Sequence, residues 1–349
     1  MEDIKKLLDD IRRKEQAHIR RYGRVKPIIS AQAKGFRFIA VGSELHYSEE
    51  WRTFPDFLRT YIWHVIGERW FNHQIKKPTE EQHPIMKWWI LYHEFSKKQT
   101  PDDKGLIGAV PNSATKAFYQ LAYDLYILRH HQALQEMILR RLLTMDGFQG
   151  ARYELFATST MIRAGFSIEF EDESDRSRKH VEFVAVHKDT GERIAIEAKS
   201  RHRPGVLGVP GRQQSPEEIK LRLGRLINAA LEKDFTIPLV VFIDMNLPPE
   251  KVKGLLEGDD ITHLVRTLDQ VNKTDDGKDL FNLILYTNHP YHYGSGDEPY
   301  ELDHVSVAIT QTPKYVMNRS QLMQDIAFTA KQYGNIPNEF PEEWDGTIS

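Results

Sequence analysis

The chain has 349 residues, enough for one large or two ordinary domains around a sizeable core. Its 40% hydrophobic and 28% charged content is that of an ordinary folded domain, and no run of about 18 apolar residues suggests a membrane span. The absence of cysteine excludes disulfides, thiolate zinc sites and a cysteine nucleophile, and a net charge of −3 confines any nucleic-acid surface to a local basic patch. The opening MEDIKKLLDDIRRKEQ has no cleavable-signal pattern, so the cytoplasm is the expected compartment.

In chain order, residues Met1–Tyr22 predict a charged helix with Ile4, Leu7, Leu8 and Ile11 as a thin apolar stripe. Gly35–Tyr47 predicts a strand or hairpin. Pro55–Asn72 and Pro84–Lys97 predict amphipathic helices whose aromatic residues, Trp88, Trp89, Tyr92 and Phe95 among them, recur at helical spacing. Such stripes can stack bases but are far more often core. A long helix is expected from Ser113 to about Met145, capped by Asn112 or Ser113. His130-His131 would lie within it, one interfacial and one exposed. Residues 1–145 therefore predict a mostly helical accessory domain, with a boundary near Asp146-Gly147.

The stretch Phe148–Arg201 has a different texture. A helix ending at Gly165 is followed by three β-type runs, Phe166–Glu173, His180–Lys188 and Arg193–Arg201, the last two joined as a hairpin by Asp189-Thr190-Gly191-Glu192. Side chains alternate faces along a strand. Ala195, Glu197 and Lys199 then share one face and Ile194, Ile196 and Ala198 the other. Glu182 should lie with Val184 and Val186, opposite Val181, Phe183 and Ala185. Two carboxylates and an ammonium thus ride on strands that otherwise read as buried, which is costly unless the charges are paired or hold a metal.

After Arg201 a Gly/Pro-rich loop brings in Arg203 and Arg212, and Ser215-Pro216-Glu217-Glu218 opens a predicted helix as a capping box. That helix would display Lys220, Arg222 and Arg225. Either these groups contact phosphates, the loop staying mobile until a substrate orders it, or they are a solvated basic face. Pro238–Asp244 predicts a strand covered on both faces. Beyond it, Pro249–Val271 predicts helix with a break at Gly258-Asp259, Phe281–Thr287 and His304–Gln311 strands, and Ser320–Tyr333 a closing helix. The residues from Asn335 to 349 predict an extended tail. His289-Pro290-Tyr291-His292 has metal-like spacing, but its proline favours a surface loop.

The helix with Glu154, three strands, an acid on the second strand and Glu197-Ala198-Lys199 on the third resemble the PD-(D/E)XK, or restriction-endonuclease-like, nuclease superfamily. The resemblance covers about Phe148–Asp244, and its domain would extend over residues 146–334. It implies an α/β fold with an αβββαβ core and metal-dependent phosphodiester hydrolysis. Glu182 takes the place of the first acid, Glu197 the second and Lys199 the lysine, with Glu154 the acid of the preceding helix. The resemblance further implies Mg²⁺ or Mn²⁺ held by Glu182, Glu197 and the carbonyl of Ala198, with Lys199 acting on the attacking water and Glu154 holding Lys199 or a second metal. Arg201, Arg203, Arg212, Lys220 and Arg222 would meet the backbone of a DNA substrate, and cutting both strands would imply a homodimer. One departure stands out: Val181-Glu182 occupies the position where the family usually has Pro-Asp. It leaves open a second expectation, a nuclease fold without turnover that binds nucleic acid or a protein.

Overall fold

The computed structural model describes residues 2–103, 105–131, 134–170, 180–250, 267–268, 271–293 and 303–341. Most of the predicted helix Pro249–Val271, the end of the run Phe166–Glu173 and the last eight residues of the tail lie outside them. The N-terminal half contains α1 (Glu2–Tyr22), a three-stranded antiparallel sheet of β1 (Ile29–Ala33), β2 (Phe36–Val41) and β3 (Glu44–Ser48), then α2 (Phe54–Ile66), α3 (Glu68–Gln74), α4 (Pro84–Lys97), α5 (Ser113–His130) and α6 (Glu136–Leu142). β1 went unpredicted because its ISAQA sequence carries no apolar alternation and four of its five residues are exposed.

Two expected helices are each split. The run Pro55–Asn72 breaks at Gly67, whose φ of 96° lies where only glycine is comfortable; its N–H caps the Trp63 carbonyl and a new helix starts. The run Ser113–Met145 ends at His130, so His130 and His131 stand at a helix end instead of inside one. No glycine or proline marks that break. α6 resumes with Ile138 and Leu142 buried, its position set by tertiary packing.

The second half begins with α7 (Phe148–Arg163) and forms a six-stranded mixed sheet in sequential order: β4 (Phe166–Phe170), β5 (Phe183–His187), β6 (Arg193–Ser200), β7 (Leu239–Asp244), β8 (Leu283–Asn288) and β9 (His304–Ile309). β4, β5 and β6 are antiparallel neighbours. β6, β7 and β8 run parallel, and β9 returns antiparallel at the far edge. Between β6 and β7 the chain crosses through α8 (Leu223–Leu231), and α9 (Gln321–Lys331) closes the described fold. β7 is buried along its whole length, as its continuous apolar run requires.

Alternation sorts the sheet residues into two cores. Ile194, Ile196, Phe183, Phe242 and Leu285 pack under α7 and α9 through Phe156, Met161 and Ile326. Ala195, Val184, Val241, Ile243 and Ile284 pack under α8 through Leu223, Ile227 and Ala230. Val181 joins this second set, contrary to strict alternation, because β5 starts only at Phe183 and the residues before it leave the pleat. α7 serves both halves: Phe148, Ala151, Leu155 and Ile162 enter the N-terminal core beside Phe118, Leu121 and Leu125. The tail also returns to that core, with Asn338 accepting from the Phe54 N–H and the Phe340 ring 6.1 Å from the Phe54 ring.

Candidate active site

β6 is the central element of the site. Its pairing with β7 sets Glu197 opposite Val241 and Lys199 opposite Ile243, on the face that α8 covers. Glu197 is 0% exposed and its Oε1 touches the Lys199 ammonium. Lys199 Nζ also lies 3.6 Å from Glu182 Oε1, and these two side chains remain 24% and 19% exposed. The Glu182 N–H donates to Glu197 Oε2 at 3.2 Å and faces the Ile196 carbonyl at 3.1 Å. The three groups therefore form one cluster, with Glu197 as its buried floor and Lys199 and Glu182 as its opening. Lys233, just beyond α8, is a fourth member: its Nζ lies 3.6 Å from Glu197 Oε1 while donating to the His180 carbonyl at 2.8 Å.

Burial and the neighbouring Glu182 charge push the Glu197 carboxyl up to about 7, against the pull of Lys199 and Lys233. Lys199 answers in kind. Burial opposes its charge, but Glu197, Glu182 and Glu154 outweigh it and hold the ammonium above its ordinary value. A carboxyl poised near neutrality is one that an approaching cation can ionise at little cost.

Ladder alternation fixes the backbone around these side chains. The N–H groups of Ala195 and Arg201 go to the Pro238 and Asp244 carbonyls on the β7 side. The peptide groups of Ile196, Ala198 and Ser200 therefore face the β5 side. Since β5 pairs with β6 only up to Phe183 opposite Ile196, the Ala198 carbonyl points past the end of that ladder, toward the side on which Glu182 lies.

Glu154 sits on α7 at the margin. Arg141 grips both its oxygens, Nη1 to Oε2 at 2.8 Å and Nη2 to Oε1, while the Glu154 charge also acts on Lys199. An atom added at Gly150, one turn earlier, would lie 3.6 Å from Arg141 Nη2 and 3.8 Å from His202 Nε2, so both groups border the same turn of α7. On the opposite face of the sheet, Asp244 accepts from Ser200 Oγ at 2.8 Å and from the Asn246 N–H at 3.0 Å, and burial raises its carboxyl.

The five expected phosphate contacts separate. Arg201 is tied down by the carbonyls of Lys220, at 3.0 Å, and Met245, at 3.4 Å. Arg203 is not on a mobile surface loop: it is 2% exposed, its N–H goes to Gln149 Oε1, and its guanidinium has no hydrogen-bond partner among the described residues. The loop folds inward there because Val206 and Leu207 are core residues that drag it down. Arg212 pairs in solvent with Glu218 at 2.7 Å. The capping box of Ser215 and Glu218 closes only one 3-10 turn, since Ile219 turns extended to bury its side chain; α8 begins at Leu223. Lys220 and Arg222 thus precede the helix, and both are exposed.

The His289–His292 segment corrects another expectation. It leads into a 3-10 turn, Pro290–Tyr293, with His289, Pro290 and Tyr291 buried and His289 bound to Asp303 at 2.6 Å. Lys233 was missed because no local pattern marks it; only the α8 crossover brings it to Glu197. No family model, curated protein or solved structure matches the chain. No described helix is long and apolar enough to cross a membrane.

Proposed function

We propose that the chain is a divalent-cation-dependent phosphodiesterase with a restriction-endonuclease-like core, acting on DNA as an endonuclease. The observation that carries this reading is the meeting of Glu182, Glu197 and Lys199 at the end of a central strand. A buried ion pair is poor value for stability, because desolvation consumes most of the attraction, and an apolar residue at 197 would suit the α8 core better. The order α7, β4, β5, β6, α8, β7 supports the superfamily reading, as does the place of the three groups within it.

The donor set fits Mg²⁺ or Mn²⁺. Glu182, Glu197 and the Ala198 carbonyl offer only oxygen, and among the described residues Glu197 Oε1 is faced by nothing but ammonium groups, a place already built to hold positive charge. Such a cation supplies polarisation of a phosphoryl oxygen and a water acidified toward neutrality. Glu197, kept near its midpoint by burial, gives up its proton as positive charge arrives. Lys199 then turns from Glu197 toward the opening, where its ammonium orients the attacking water and offsets charge growing on the phosphate oxygens. Lys233 stays on Glu197 and keeps that carboxylate from being left alone. Arg141, holding Glu154, fixes the α7 side of the opening, and the exposed Lys220 and Arg222 meet backbone phosphates without reading sequence. Cleavage of both strands calls for two copies of the chain.

A second reading, a turnover-free module that binds nucleic acid or a protein, draws on one observation: the longer Glu182 leaves Lys199 Nζ in reach of both carboxylates, in the place a cation would take. Supercoiled DNA incubated with Mg²⁺ or Mn²⁺ separates the two. The nuclease reading expects nicking by the wild type that Lys199→Ala and Glu197→Gln lose; equal nicking by all three refutes it. Retained DNA binding without cation uptake by calorimetry selects the second reading.

A further inference from the structure

Far from β6 in sequence, the edge of the N-terminal sheet brings together Glu44 and His46, two residues apart on β3, and His64 near the end of α2. Period-two alternation puts Glu44 and His46 on one face of the strand, the face that packs against α2, where the His46 ring meets Tyr61 at 5.4 Å and Phe57 at 6.1 Å. Glu44 Oε2 lies 3.4 Å from His46 Nε2 and 3.2 Å from His64 Nε2, and the three donor atoms all fall within 4.8 Å of one another.

These separations suit one kind of ligand. Zinc binds imidazole nitrogen at about 2.0–2.1 Å and carboxylate oxygen similarly, so tetrahedral donors stand about 3.3 Å apart. Both Glu44 edges already match that spacing. The remaining gap, between two imidazoles, would close by a small rotation of His64, whose side chain is 58% exposed. His46 is the fixed member, and its Nε2 is buried with no hydrogen-bond partner. A cation bound there would satisfy that nitrogen together with the Glu44 carboxylate beside it.

We propose that Glu44, His46 and His64 form a three-ligand site for a divalent transition cation, Zn²⁺ by donor type and spacing, with a fourth, solvent-facing position open to water. Two imidazoles and one carboxylate select a borderline metal over Mg²⁺, which prefers an all-oxygen shell. The site is separate from the Glu182–Glu197–Lys199 cluster and does not depend on its function. Bound metal would pin β3 to α2 and so lock the small sheet onto the helices that cover it.

The test uses the full chain stripped with a chelator and titrated with Zn²⁺ by calorimetry, and with Co²⁺ by visible absorption. The wild type is expected to take up one tight equivalent that millimolar Mg²⁺ does not displace, and its Co²⁺ form to show the intense bands of a tetrahedral centre. His64→Ala, an exposed change that leaves the apo fold intact, should weaken binding by about 100-fold or more, on the scale that ligand-shell losses set. His73→Ala, another exposed histidine, and Glu197→Gln should leave it unchanged. Absence of a tight equivalent in the wild type, or equal binding by wild type and His64→Ala, overturns the proposal.

Discussion

Two buried carboxylates of this protein invite comparison. Asp124 on α5 and Glu197 on β6 are each 0% exposed, and burial pushes them up, to about 6 and about 7. Each has a cationic neighbour, Arg152 for one and Lys199 for the other. Their surroundings differ. Asp124 receives the Tyr333 hydroxyl, which itself accepts from Arg152 Nη2 at 3.1 Å, and Arg152 also reaches the Tyr291 hydroxyl at 3.4 Å. Nearby, Arg163 holds the carbonyls of Tyr22, Gln332 and Tyr333 at 2.8–2.9 Å. The network joins α5, α7 and the end of α9, and the side chains of Asp124, Arg152, Arg163 and Tyr333 are all buried. Around Glu197 the partners are other charges, and Lys199 and Glu182 open outward. A perturbed carboxyl therefore does not identify a functional site by itself; the access of its partners does.

Breaking the enclosed network should have the largest effect. Arg152→Ala removes the buried cation beside Asp124 and a donor to the Tyr333 and Tyr291 hydroxyls, and should cost about 3–5 kcal/mol of stability in urea unfolding. At the open cluster the loss should appear in chemistry. Lys199→Ala should lower metal-dependent DNA nicking by about 10²–10³-fold while its circular dichroism spectrum stays that of the wild type.

The pH dependence sharpens the contrast further. Glu197 is raised from 4.5 to about 7, so the folded chain binds a proton that the unfolded chain has released, and stability is lost as pH rises across that interval. Glu197→Gln keeps the neutral shape at every pH. Relative to wild type it should gain on the order of 3 kcal/mol between pH 4.5 and pH 7, and then level off. Mn²⁺ should reverse the order by stabilising only the wild type, which thermal melts with and without the ion would register. Asp124 titrates with the same sign but should show no such metal response. The smallest effect is expected at Ser200→Ala, which removes the hydroxyl from Asp244 Oδ2 and should cost about 1–2 kcal/mol in the same unfolding assay.

Much of this contrast was legible along the chain. Alternation in Arg193–Arg201 placed Glu197 and Lys199 on one face, and the continuous run before Asp244 marked a strand covered on both sides. Helices such as Pro84–Lys97 announced themselves by an opening proline and by period. The failures have a common source. Lys233 looked like any lysine after an amphipathic helix, and Arg203 like any arginine in a glycine-rich loop, yet one borders Glu197 and the other is buried.

Residue periodicity by itself determined most of the strands of the large sheet and which side of β6 would carry charge, because those properties depend on neighbours two to four positions away. Tertiary structure alone decided which charges met: Glu182 with Lys199, Arg141 with Glu154, Lys233 with Glu197, and Glu44 with His64. Such meetings are set by strand register and by the docking of helices distant in the chain, where packing shape, not local pattern, selects the partner.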